Sequence, residues 1–513
     1  MKVNKLLTIA CHKYVSSETS EKNNFVWNMI GSMIFAAASM ILSLLIIRIV
    51  GEDDGGIFAI AITVAQMLAF IEYYETRTFQ VTDTKSTFEF GHYKAVKYIL
   101  FVVSVVVSIV YSILTAKSNI YKCIVILLMC IYRFVDAYAD LYEGAFQKDG
   151  RLDLTGKSQA FRTVMSVTVM LVVLIITKNM ILAISLSILI AILGLIIFDV
   201  MPMKTFRNIA VIWNEKYILG ILKNCFPLFI GSFLWSYILS ASRIAIDAKM
   251  ASNYSAYFQT LFMPVSIVNL FATFVMKPAL TKLADEYASD YKKPFIVSIS
   301  KISVIIVGFT IICIIGAWIL GIPVLQILTG SELIQYRMVL ILLMFAGGIN
   351  ALSYFGYYVL TVMRKSGMII IGYIVSAIVA KLANEYLVAR YGIKGGAYGF
   401  LTSVMVLFLI FYFCIIYTIL KKKTKKRRVL NMNKNAATER EYEFSYDTLV
   451  DIITAQQALI EELTHTIFAK EKELEKNTDL LNDAKWLIDD LMYACEMNEI
   501  IFDFPEKDLS YSS

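Results

Sequence analysis

The sequence predicts an all-α polytopic membrane protein: about twelve transmembrane helices in two six-helix bundles, followed by a C-terminal cytoplasmic coiled-coil helix. Three observations predict it. The 513 residues are 58% hydrophobic and 17% charged, with mean hydropathy +0.66, a composition that soluble chains do not have. The apolar residues come in blocks long enough to cross about 30 Å of hydrocarbon, where only a helix or a closed barrel satisfies its own backbone. Beyond residue 431 the composition inverts. From Glu439 onward there are 19 acids against six Lys plus Arg, so that segment is near −13 and the rest near +20, by subtraction from the formal +7.

The blocks run over 25–50, 56–75, 95–116, 120–141, 160–177, 180–199, 219–244, 254–276, 296–320, 338–362, 367–388 and 396–420. The first is preceded by a polar stretch and is too long for a signal peptide, so it counts as a helix. About 18 Lys and Arg follow even-numbered blocks, Lys97 and Arg162 among them, against about seven after odd-numbered ones. The first odd loop, Gly51-Glu-Asp-Asp-Gly-Gly56, is acidic. Basic loops stay in the cytoplasm, so even loops and both termini are expected there, with the basic run Lys421–Arg428 closing the last span. An internal repeat at an offset near 200 residues pairs Gly31-Ser32 with Gly231-Ser232 and Phe58 with Phe258. Such repeats build transporter halves around a central site.

The expected organisation is a cytoplasmic segment 1–24, bundles 25–213 and 214–420, a basic linker 421–440, a coiled coil 441–500 and a tail 501–513. One coiled-coil seam runs through Ile453, Ile460, Ile467, Leu474, Leu481, Ile488 and Cys495, the other through Leu449, Leu463 and Leu491. Its centre, Lys470 and Asn477, is polar, a pattern that sets register at a cost in stability. A lone amphipathic helix on the cytoplasmic face is the alternative.

Several functions are excluded. The seven cysteines show no CxxC or metal-finger spacing, and the three histidines lie outside the blocks, so neither a disulfide scaffold nor an intramembrane His metal centre is expected. No P-loop is present, so the chain does not hydrolyse ATP, and nothing points to nucleic acid.

In the fourth block Arg133, Asp136, Asp140, Glu143 and Gln147 step by three and four residues and share one helical face about 15 Å long from Arg133 to Glu143. Intramembrane charges persist where they line a watery cavity or pair with one another; the alternative is that the lower half is the solvated helix end. The net-acidic stripe could bind a coupling H+ or Na+, or neutralise a facing cation such as Arg77. Arg48, Arg243 and Asp247 sit near the outer ends of the first and seventh helices, as a gate in which Arg243 pairs with Asp247 or as interfacial anchors. Lys381 and Glu385, one turn apart in the eleventh, form a deep pair, structural or substrate-contacting. Cations placed on helices are Arg48, Arg77, Arg133, Arg243, Lys277 and Lys381. Pro227 and Pro264 interrupt the seventh and eighth helices as candidate hinges. The cluster Tyr354, Phe355, Tyr357 and Tyr358 could stack on sugar faces, although aromatics also fill bundles and belts.

Taken together, Arg48-Ile-Val-Gly-Glu-Asp-Asp-Gly-Gly56, Arg77-Thr-Phe-Gln-Val-Thr-Asp83, Phe134-Val-Asp136, Gly144 and Gln147, Gly150-Arg-Leu-Asp-Leu-Thr-Gly-Lys157, Cys225-Phe-Pro-Leu-Phe-Ile-Gly-Ser232 with Arg243-Ile-Ala-Ile-Asp247, and Tyr391-Gly-Ile-Lys-Gly-Gly396 give a pattern over residues 20–420. It resembles the Wzx-type polysaccharide flippases of the multidrug/oligosaccharidyl-lipid/polysaccharide exporter superfamily. The resemblance implies two six-helix bundles forming a V, and alternating access for an undecaprenyl-diphosphate-linked oligosaccharide in the bacterial plasma membrane. Its expected partners are that lipid-linked oligosaccharide, membrane lipids, and a coiled-coil partner or a second copy. The coiled-coil tail departs from the family pattern. Competing readings are a multidrug or cation antiporter of the same superfamily and a scaffold for polysaccharide-synthesis enzymes. The outer loops are too short for a polymerase or glycosyltransferase.

Overall fold

In a computed structural model of the chain, residues 14, 15, 20–83, 87–116, 119–288 and 292–440 are described, excepting several side chains between 273 and 292 and those after 421. The coiled coil expected over 441–500 lies outside these residues, as does the side chain of Lys277. Every regular element described is helical: α1 Glu21–Val50, α2 Glu52–Tyr73, α3 Thr76–Thr82, α4 Phe90–Ala116, α5 Ile120–Lys148, α6 Leu152–Thr177, α7 Met180–Leu195 and α8 Met201–Phe206. There follow α9 Glu215–Lys249, α10 Ser252–Phe262, α11 Val265–Ala288, α12 Lys292–Gly316, α13 Ile322–Thr329, α14 Arg337–Val362 and α15 Ser366–Arg440. The chain is a multi-pass membrane protein, with 10 described helical stretches long and apolar enough to span. Helix α5 is of spanning length but more charged than those ten, and α15 breaks at Gly392, whose φ of 56° and ψ of −133° divide it into two helices.

Helix ends follow local chemistry. Ser20, Asn119, Asn179 and Asn214 cap α1, α5, α7 and α9 by accepting from a backbone N–H inside the first turn, which satisfies a donor the helix leaves open. The helix that starts at Met180 continues through a π-helical turn, Ile196–Val200, into α8, so the sixth crossing runs past the expected residue 199. Pro264 separates α10 from α11, whereas Pro227 sits inside α9.

Two hydrophobic clusters carry the packing. One gathers Phe58, Val96, Phe134, Phe146 and Ile184 of the first half; the other gathers Ile246, Phe258, Leu340, Phe355 and Phe400, all but the neighbouring Leu44 coming from the second. Phe58 and Phe258, the repeat-related pair, are both fully buried, one in each cluster. The halves meet along α2 and α10. A Cβ at Gly56 would lie 1.7 Å from the Ser252 carbonyl oxygen, so that only glycine permits the crossing. At the α1–α6 crossing a Cβ at Gly156 would lie 2.0 Å from the Trp27 carbonyl oxygen. Small residues let backbones approach inside a bilayer, where dispersion and not hydrophobicity drives association.

Candidate functional site

The site begins where α2 stops. Tyr74 and Glu75 both adopt left-handed backbone, φ 45° and 54°, a conformation that costs a non-glycine residue about 1–2 kcal/mol. This double reversal turns the chain into α3 and sets Arg77 against α5. The Arg77 guanidinium donates to Asp140 Oδ1 at 3.0 Å, Glu143 Oε2 at 2.9 Å and Gln147 Oε1 at 3.0 Å. The i, i+3, i+4 spacing of α5 thus presents three acceptors to one planar fork.

Behind that contact lies a second arginine, one that the sequence counts with the loops. Arg162 is 1% exposed on α6; it donates to Asp136 at 3.2 Å, Glu143 at 2.9 Å and Asp199 at 2.7 Å. Ser158 Oγ also donates to Asp199, at 2.6 Å. Arg133 completes the set with Asp136 at 3.4 Å and Ser39 Oγ at 2.6 Å. Four carboxylates therefore meet three guanidinium groups. The lower stripe is no solvated helix end, since Glu143 is buried and Asp140 is only 13% exposed at its side chain. Its acids are occupied by arginines, the neutralising alternative.

Arg133 and Asp140 reach the edge of a cavity of about 570 Å³ between the halves, lined also by Arg77, Glu75, Trp235 and Arg243. Arg243 donates to Gln259 Oε1 at 3.2 Å and the Leu239 carbonyl at 3.1 Å, and its guanidinium lies 4.7 Å from the Phe262 ring centre. No carboxylate pairs with it among the described residues. Asp136 is not in the lining; it is turned to Arg162. Adjoining is a second cavity of about 630 Å³, which shares Phe70, Glu75, Thr78 and Trp235 with the first and adds Tyr354, Tyr357 and Tyr373.

At the opposite end of the helices the halves are tied together. Lys122 Nζ donates to both carboxylate oxygens of Asp247 at 2.7 Å, Tyr257 donates to Glu52, and Arg48 donates to the Ile327 carbonyl oxygen. Both cavities are lined by residues near the Tyr74 end, such as Glu75, Thr78 and Thr361. The contacts between the halves lie at the Gly51 end, and both cavities lie toward the other.

Three expectations change. Arg243 and Asp247 do not form the expected pair: one helical turn apart on α9, the first faces the cavity and the second takes Lys122. Lys381 and Glu385 are exposed, with no ion pair between them and no place in either lining. Of the cations counted in even loops, Lys97 and Arg162 are buried in helices that begin earlier than expected. Lys97 Nζ donates to the carbonyls of Glu72 at 2.7 Å and Ala137 at 3.0 Å, capping the interrupted end of α2. Sequence reasoning also missed Asp199, Lys122 and Glu72. Asp199 is the last residue of the expected block 180–199, so in the sequence it reads as a charge at the span edge. Pro227 lines the second cavity.

No family model and no curated protein matches the chain. Solved structures do. The lipid II flippase MurJ, inward closed, superposes with a TM-score of 0.58 at 13% identity over 87% of this chain and 99% of that one. The MATE multidrug transporter DinF-BH, solved as a ligand complex, gives 0.58 at 12% identity over 78% and 96%. The eukaryotic MATE transporter AtDTX14 gives 0.57 at 14% identity over 82% and 99%. The chain has the fold of these transporters. At such identities the similarity establishes architecture, and the site must supply the chemistry.

Proposed function

We propose that the chain is a flippase that moves an undecaprenyl-diphosphate-linked oligosaccharide across the bacterial plasma membrane by alternating access, for surface polysaccharide biosynthesis. The observation that carries this reading is Arg243: a half-buried cation with no carboxylate partner among the described residues, aimed into the cavity beside Arg133. A diphosphate cannot cross about 30 Å of low dielectric bare, so its carrier must offer compensating cations. Arg77, Arg133 and Arg162 are held by acids, which leaves Arg243 the cation in reserve. The fold shared with a lipid II flippase supports the reading, and the two cavities together match a bulky amphipathic ligand. With even loops cytoplasmic, the cavities lie toward the cytoplasm, where such a substrate is assembled.

A cation antiporter is the second reading, and the fold shared with a ligand-bound MATE multidrug transporter supports it. It would need a carboxylate free to face the cavity. Asp140 is committed to Arg77, which leaves Glu75, whose Oε2 accepts from Thr78 at 2.8 Å. The two readings therefore separate at two residues. In a strain lacking its own flippase, with membrane insertion verified, Arg243→Gln should lower surface glycan at least tenfold while Glu75→Gln retains it. Normal export from Arg243→Gln, with Glu75→Gln abolishing efflux of a cationic dye, would establish the antiporter instead.

A further inference from the structure

The second cavity has a chemistry different from the first. Trp235 on α9 and Tyr354 on α14 lie with ring centres 5.7 Å apart and planes inclined by 22°, and Tyr354 and Tyr357 with centres 6.1 Å apart and planes 8° from parallel. Parallel rings at such separations are slipped sideways past one another. The three form a staggered shelf in the cavity lining, and each is half-buried. Tyr373 is buried behind Tyr357, at 6.3 Å, and fixes its position. Around the shelf stand short hydrogen-bonding groups: Asn224, Ser366, Thr361 and Ser232. The Asn224 and Ser366 side chains are exposed and make no hydrogen bond among the described residues. The one ionisable carboxylate in this lining is Glu75, at the junction with the arginine-lined cavity.

Flat apolar faces bordered by neutral donors and acceptors complement a pyranose ring. Its axial C–H bonds carry slight positive charge and lie against the negative face of an aromatic ring, while its equatorial hydroxyls reach outward to amides and hydroxyls. A lipid tail would leave the polar rim unused. A lipophilic cation would favour the ring faces too, but the arginines of the adjoining cavity oppose it.

We propose that Trp235, Tyr354 and Tyr357 form a saccharide subsite, contiguous with the Arg243 cavity. The first sugars beyond the diphosphate rest on the shelf, and the phosphates lie at Arg243. This rests on the flippase reading and adds that the protein grips its cargo by the glycan as well as by charge. The subsite selects for the presence of a sugar, so the bare polyprenyl diphosphate binds more weakly than its glycosylated form.

The test uses the full chain in lipid nanodiscs with two probes: a short-chain polyprenyl diphosphate, and the same lipid carrying a disaccharide. Binding is read by titration for wild type, Trp235→Leu, Tyr354→Leu, Trp235→Phe and Arg243→Gln. The expected result is that Tyr354→Leu weakens the glycosylated probe about tenfold and leaves the bare one unchanged, that Trp235→Leu, which borders both cavities, weakens the glycosylated probe by at least tenfold more than the bare one, that Trp235→Phe retains most of the affinity by keeping a ring, and that Arg243→Gln weakens both. Leucine variants that weaken both probes equally or neither, or that lose binding of a cationic rhodamine dye instead, overturn the saccharide subsite while leaving the Arg243 anchor standing. If neither probe binds wild type and Arg243→Gln changes nothing, the flippase reading fails and the subsite with it. Loss of a folded, monodisperse particle in the leucine variants shifts the decision to Trp235→Phe and Tyr354→Phe, where a drop as large for the bare lipid as for the glycosylated one counts against the proposal.

Discussion

Among individual side chains, function turns on which charges are consumed and which are left over. Arg162 is enclosed by Asp136, Glu143 and Asp199; removing it takes from Asp199 its arginine and leaves Asp136 and Glu143 with one each. Breaking a buried ionic cluster from one side costs about 3–5 kcal/mol. Arg162→Met should therefore lower thermal stability in detergent and reduce insertion, read by fluorescence-detected size exclusion on heating. An unchanged melting profile would show that the cluster is solvated. Arg77→Gln should be milder, because its side chain is 26% exposed and Glu143 keeps Arg162. The stripe on α5 was legible in the sequence, since charges at three- and four-residue steps in an apolar block have few uses. Its partners were not. Arg162 and Asp199 look like span-edge charges in a linear reading, and only the depth at which α6 and the π-helical turn cross α5 reveals them as interior. Arg243 was legible as a cation on a helix, but its assignment to Asp247 failed because α9 turns the two side chains to different neighbours.

One level up, function depends on where helices touch closely and where they break. The α2–α10 crossing has no room for a side chain at Gly56, which would meet the Ser252 carbonyl at 1.7 Å. A Gly56→Val substitution should force the Gly51 end apart. The expected result is that a cysteine at position 52 or 257, protected in the parent, becomes reactive to a membrane-impermeant maleimide added from the outer side. Continued protection would mean the helices absorb the methyl groups without opening. Gly156 on α6 is as tight, against Trp27, but within one half. Gly156→Val should thus reduce folded yield without changing the labelling pattern. Breaks were partly readable: Pro264 falls at the α10–α11 junction, and Pro202 and Pro323 stand just after the π-helical turns Ile196–Val200 and Ala317–Gly321, the second of which ends in a glycine, whereas the left-handed residues Tyr74 and Glu75 carry no such punctuation. Tertiary packing, and not local preference, sets those.

For the two halves acting as one machine, alternating access requires that ties at one end be exchanged for ties at the other. In the conformation described, the ties are at the Gly51 end: Lys122 with Asp247, Glu52 with Tyr257, and Arg48 with Ile327. Asp247→Asn weakens the first of these and should shift the population toward a form open at the Gly51 end, raising thiol labelling there. The apolar blocks made most of the spanning helices foreseeable, because span length is set by the bilayer. Which end is closed was not foreseeable, since that is a property of one state and both states share the sequence. The decisive experiment is translocation in proteoliposomes of a polyprenyl-diphosphate disaccharide by the Lys122→Cys, Asp247→Cys protein, before and after joining the two cysteines with a short bis-maleimide. Transport is expected from the unlinked protein and lost on linking, while binding of the same lipid from the cytoplasmic side is retained. Transport that continues at the unlinked rate with the Gly51 end held shut would refute alternating access through this opening.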